Sequence, residues 1–205
     1  MSEKKPRRRV WRWLLLLIAL ALALLVWWRM SRPTISPERL AAVPLILQSD
    51  YEDTVAVFAG EDKSVKTSGC GAVSLSMAIE YLTGRAVSPQ VLFEWAVEHE
   101  YYFGDGLSHE ALTDMARLNG VKGTWIANEP KPVLRALKAG RPVIAHMGPG
   151  TFTAGGHYIL LRGVDADGRI LVNDPSSRER SEVPYDMALI MAELRRENSF
   201  LVLTK

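Results

Sequence analysis

The chain of 205 residues carries 25 Lys and Arg against 23 Asp and Glu, a net charge of +2, and is 48% hydrophobic. That length buries one good core and leaves a second domain cramped. Six basic residues (Lys4, Lys5, Arg7, Arg8, Arg9 and Arg12) precede residue 13; without them the chain is neutral to acidic, which excludes a nucleic-acid footprint.

Residues 1–12 read as a basic N-terminus. An uncharged run from Trp13 to Trp28 follows, bracketed by Trp11, Trp13, Trp27 and Trp28. As a helix it rises about 24 Å, close to the roughly 30 Å of a hydrocarbon layer. Tryptophan at both boundaries resembles an interfacial belt. The positive-inside rule then puts the N-terminus in the cytoplasm and the rest outside. The expectation is a single-pass signal-anchor over 13–28. The alternative, a cleaved signal peptide, requires small residues after the run, where Trp27-Trp28-Arg29-Met30 stands instead.

Residues 29–40, with Pro33 and Pro37, read as a linker, and 41–205 as the folded domain. Ala41 to Gln48 is an extended candidate, and residues 49–66 read as charged and irregular. Leu75, Ile79 and Leu82 share a helical face after Cys70, and Gly84 stops that helix. Ser88-Pro89 opens a second helix to about Glu100, and Ser108 caps a third ending near Asn119-Gly120. Pro132 to Ala139 forms a fourth, before Gly140. The period then changes: strands are expected at 142–147, 157–163, 169–173 and 200–203, with a helix at 185–196. Strands 157–163 and 169–173 form a hairpin around residues 166 and 167. Helices first and an antiparallel sheet second define an α+β fold.

The only cysteine, Cys70, lies in Thr67-Ser68-Gly69-Cys70-Gly71. A lone thiol makes no internal disulfide and no thiolate zinc site, and no metal or organic cofactor is implied. At a helix start, N–H groups and the helix dipole favour the thiolate, the form that acts as nucleophile. Gly69 and Gly71 leave room for a substrate backbone. The plain alternative is a small buried hydrophobe. His157 follows Gly155-Gly156 and opens a strand, so it can face a cleft below a glycine-rich loop. His146 is a rival base; His99 and His109, on or beside amphipathic helices, are explained by exposure. Asp174 ends the strand paired with that of His157, close to opposite it, so the acid can hold the imidazole. Asn173 then faces the other way. Gln48 can donate, with the Cys70 N–H, to a developing oxyanion.

Val43-Pro44-Leu45-Ile46-Leu47-Gln48, Gly69-Cys70-Gly71-Ala72, Gly155-Gly156-His157-Tyr158-Ile159 and Val172-Asn173-Asp174-Pro175 together resemble the papain-fold cysteine peptidases of family thirty-nine, the bacteriocin-leader, double-glycine group, and more closely its stand-alone branch. The resemblance spans most of residues 41–204. It implies a nucleophile at Cys70, a base at His157, an orienting acid at Asp174, an oxyanion donor at Gln48, and substrate contacts at Gly69, Gly155 and Gly156. Ala72-Val73 departs from the proline and alanine many members carry, and no transporter region or P-loop follows. The expected protein is a bacterial, membrane-anchored, extracytoplasmic cysteine peptidase acting on a peptide or protein, with no nucleic-acid partner. Its rivals are an amidase or transpeptidase on cell-wall peptides, and a non-catalytic peptide-binding module.

Overall fold

The computed structural model describes residues 7–30, 43–104 and 106–205. The chain divides into two units, Met1–Thr34 and Ile35–Lys205. In the first, helix α1 spans Arg7–Met30 and contains the whole apolar run. Its described side chains, residues 11 and 13–24, are exposed. Among the described residues no helix is long and apolar enough to cross a membrane, so the expected span at 13–28 is present as helix and not as a recognised membrane span. The linker expected at 29–40 starts two residues inside α1, and 31–40 lie outside the described residues.

The second unit begins with an irregular segment, Val43–Leu47, and a 3-10 turn, Gln48–Asp50. The segment makes no β ladder. It is strapped instead by Asn173, whose Nδ2 donates to the Pro44 carbonyl (2.8 Å), and by the Ile46 N–H on Met77 Sδ (3.3 Å). Residues expected to be irregular form a hairpin of β1 (Thr54–Phe58) and β2 (Glu61–Ser64). Ala59 and Gly60, at φ 51° and 82°, turn it, and both central residues at positive φ suit a tight hairpin. Its charges face solvent, so no apolar alternation announced it.

Helix α2 (Val65–Ser68) leads directly into α3 (Cys70–Thr83). Gly84 ends α3 in the left-handed region (φ 72°). Helix α4 (Pro89–Glu98) has Ser88 accepting from the Gln90 N–H, and α5 (His109–Leu118) has Ser108 accepting from the Ala111 N–H, the caps their sequences predict. Then come β3 (Lys122–Ile126), α6 (Pro130–Lys138), β4 (Val143–Met147), β5 (His157–Val164) and β6 (Ile170–Asn173). The chain closes through α7 (Arg178–Glu182), β7 (Pro184–Tyr185), α8 (Met187–Ala192) and β8 (Phe200–Thr204). The helix expected over 185–196 is therefore shorter, and β3, β7 and α7 are additions.

Six strands form one antiparallel sheet in the order β3-β8-β4-β5-β6-β7. Alternation along its central strands splits the core in two. Ile144, Tyr158, Leu160 and Leu201 join α3, α4 and α5 in one buried cluster. Val143, Ala145, Ile159 and Leu161 join α6 and Ile190 of α8 in the other. The sheet is thus covered on both faces.

Asn173, 3% exposed, joins the opening strap to β6. Asn173→Ala strands the carbonyl of half-buried Pro44 and is expected to cost about 1–3 kcal/mol, read as a lower urea midpoint with an unchanged slope.

Candidate active site

Delivery of Cys70 depends on the turn before it. Ser64 caps α2, its N–H donating to Thr67 Oγ1 (3.0 Å), and the Gly69 N–H closes the turn on the Val65 carbonyl (2.8 Å). A Cβ at Gly69 would lie 2.6 Å from Val65 Cα. Gly69 is therefore required by packing, and it is not among the residues lining the cleft described below. Cys70 follows as the first residue of α3. Helix α3 is seated against β5 by Ser74 Oγ on the Tyr158 carbonyl (3.2 Å). At Gly71 a Cβ would lie 3.1 Å from the Tyr158 ring, a close approach that brings the helix start to the start of β5.

There stands His157, 6% exposed. Its Nε2–H donates to Asp174 Oδ1 (2.8 Å), leaving the other ring nitrogen for its hydrogen bond with Cys70. The hairpin centre expected at 166 and 167 holds on the site side, where Leu160 pairs with Asn173 and Leu161 with Val172; a bulge between Leu161 and Gly163 shifts only the turn side. Asn173 turns away from His157, as alternation requires. Asp174 lies just past the ladder, bridged to Ser177, and this turn carries its carboxylate back to the imidazole.

Asp174 is fully buried and well supplied with donors. Oδ1 also accepts from the Ser176 N–H (2.8 Å) and Oδ2 from Arg180 Nε (2.5 Å), while Ser181 Oγ accepts from its backbone N–H (2.8 Å). Burial pushes the carboxyl up, but bonds from His157 and Arg180 outweigh it and hold it below the usual range. Burial likewise opposes charge on His157, yet the Cys70 thiolate and Asp174 raise it to about 9. The Cys70 thiol is pushed up by burial and pulled down further by His157 and by the N–H groups of Tyr158 and Gly71. Both shifts favour the thiolate–imidazolium form of the pair.

The pair opens on a cleft of about 310 Å³ whose walls include Phe103, Glu110, His146, Gly156, Arg195 and Arg196. Gly156 is therefore at the cleft, whereas Gly155 contributes its carbonyl to Arg195 Nη1 (3.1 Å). Gln48 does not line it. Gln48 Nε2 donates to the Lys66 carbonyl (2.7 Å), its Oε1 is buried without a partner, and its N–H donates to the Pro175 carbonyl (2.8 Å). It is thus tied to both the Cys70 turn and the Asp174 turn.

The rival histidines have other occupations. His146 Nδ1 meets His109 Nε2 (3.1 Å), and the rings stack on Tyr158 and Trp125 respectively. Burial above all keeps both neutral, lowering His146 to about 3 and His109 to about 4. His109 is buried, not exposed as expected, because its helix face packs on β3, a strand the sequence reading lacked. His99 bonds the Trp95 carbonyl and stacks on that indole. Missed altogether were Arg180, Ser176, Arg195 and Arg196; only the register of α7 and the path after α8 bring them in. Among the described residues no cluster suits a metal ion.

An antiparallel sheet covered on both faces, with a helix-borne cysteine against a strand-borne histidine, defines the papain-like class of α+β fold. A family model described as Peptidase_C39 like family matches residues 41–200, and the chain belongs to that family. Among solved structures it is similar to the peptidase domain of Streptococcus ComA, a bi-functional ABC transporter (TM-score 0.52, 17% identity, 67% of this chain and 92% of that one). It is also similar to a double glycine motif protease from an AMS/PCAT transporter in complex with the leader peptide (0.51, 20%, 79% and 89%). These likenesses show the fold. No curated protein matches the chain.

With the thiol lowered by His157, Cys70 is expected to react with iodoacetamide well below the pH at which free cysteine does. In His157→Ala burial is opposed only by the Tyr158 and Gly71 N–H groups, so the midpoint of a rate–pH titration is expected to rise above that of the wild type.

Proposed function

We propose that the protein is a cysteine peptidase that hydrolyses peptide bonds through Cys70, His157 and Asp174. The observation that carries this is a single imidazole bonded on one side to a buried carboxylate and on the other to the only thiol, at an open cleft. The thiolate attacks the peptide carbonyl and forms a C–S bond. His157 gives its proton to the departing amine, then takes one from the water that resolves the thioester. Asp174 keeps the ring oriented and stabilises its charged form. N–H groups at the start of α3 receive the oxyanion. Membership of a peptidase family, and a structural neighbour solved with a leader peptide, support a peptide substrate.

A peptide library incubated with the protein is expected to yield cleavage products that Cys70→Ser abolishes. Asp174→Asn, which leaves the ring without its acceptor, is expected to lower kcat by about 10²–10⁴. The basic limb of kcat/KM is expected near pH 9, where His157 loses its proton. A library left intact by the wild type refutes the reading.

The apolar side chains from Trp13 to Leu24 of α1 are exposed, an arrangement that water does not favour. We propose that α1 attaches the protein to a membrane, its basic end cytoplasmic and the peptidase domain outside the cytoplasm. Alkaline carbonate is expected to leave the protein in the membrane fraction, with the domain digestible by protease added to intact spheroplasts. Release into the soluble fraction contradicts this.

A further inference from the structure

The cleft has two unlike walls. On the α5 side the acid is Glu110, held at its own helix start by the backbone and Ser108. Opposite stand Arg195 and Arg196, on the segment after α8. That segment is fixed like an extra strand at the end of β4. Leu194 bridges Met147, the Arg195 N–H donates to the His146 carbonyl (2.9 Å), and the Gly148 N–H donates to the Glu193 carbonyl (2.6 Å). The two guanidinium groups are thereby held on the rim that also carries His146 and Gly156.

The two acids flanking them in sequence do not pair with them: among the described residues Glu197 forms no ion pair. Glu193 turns its carboxylate the other way, onto the Thr151 N–H and Oγ1 (2.8 Å each). Arg195 spends one N–H on the Gly155 carbonyl. Among the described residues neither arginine has an ion pair within contact distance, and the Arg196 guanidinium has no hydrogen bond; Glu110 across the cleft feels its charge without touching it. Planar forks suited to carboxylate oxygens therefore line a catalytic cleft with their donors unspent.

We propose that Arg195 and Arg196 form a carboxylate-binding subsite, so that the enzyme favours peptides presenting a carboxylate beside the bond Cys70 attacks. This rests on the peptidase reading above. The carboxylate belongs to an acidic side chain or to a free C-terminus, and the guanidinium fork takes either in the same way.

The test compares alkylation of Cys70 by iodoacetate and by iodoacetamide; in each the sulfur displaces iodide, and only the first reagent carries a carboxylate. In the wild type at low salt the iodoacetate/iodoacetamide rate ratio is expected to exceed that of free cysteine. Arg196→Gln, which removes no side-chain hydrogen bond or ion pair among the described residues, is expected to lower the ratio about threefold, Arg196→Lys to restore most of it, and 1 M salt to erase the difference. A second arm measures protection of Cys70 from iodoacetamide by acetyl-Ala-Ala, acetyl-Ala-Ala-amide and acetyl-Ala-Glu-Ala-amide. Protection by the first alone assigns a C-terminal carboxylate, and by the third alone a side chain; by both, either. Protection that is absent, or equal for all three, overturns the subsite, as does a ratio that Arg196→Gln leaves unmoved. Iodoacetamide reacting no faster than with free cysteine at neutral pH is a separate failure, that of the thiolate reading itself.

Discussion

A carboxylate sealed from water costs several kcal/mol unless charges and donors compensate it, and Asp174 is such a group. Its compensation organises the surrounding structure. Arg180 approaches one oxygen, His157 and the Ser176 N–H the other, and Ser181 secures the backbone beneath. Continuing outward, His157 meets the Cys70 sulfur, so guanidinium, carboxylate, imidazole and thiol stand in a row in which each charged form favours the next. Each member is stabilised by the neighbour it stabilises. The end of β6, the short helix α7 and the turn between them have their particular path because the acid must be reached from both sides.

The same physics distinguishes His157 from His146, which stands on the same cleft. Both are shielded from water, and shielding alone discharges an imidazole. His157 escapes that outcome through a carboxylate on one side and a thiolate on the other, whereas His146 has only the neutral ring of His109 and an arginine rim nearby. One ring is charged and the other stays neutral, stacked on Tyr158. Tyr158 links the two: its neighbour is the base, its ring fills the gap that Gly71 leaves, and its hydroxyl donates to the Leu107 carbonyl (3.0 Å) across the cleft's edge. The rigidity of the site comes from this packing at the helix–sheet junction.

Local chemistry was enough to read most elements and the site's three central residues. Ser88 and Ser108 cap where their side chains can reach a backbone N–H, Gly84 stops a helix because it alone takes φ 72° without strain, and the 165–168 turn closes the hairpin that carries Asn173 and Asp174, with the bulge after Leu161 shifting its register by one. The uniqueness of Cys70 and its place at a helix start were equally visible. What stayed hidden depends on contacts between distant segments. The β1–β2 hairpin carries charges outward on a half-exposed ribbon, β3 exists through its pairing with β8, and Gly69 is demanded by Val65. Arg180, Arg195 and Arg196 are ordinary surface arginines in the sequence. A chain can state its own periodicities and turns, because those arise within a few residues. Which side chains share a buried volume, and which charge answers another there, was decided only when the two faces of the sheet closed.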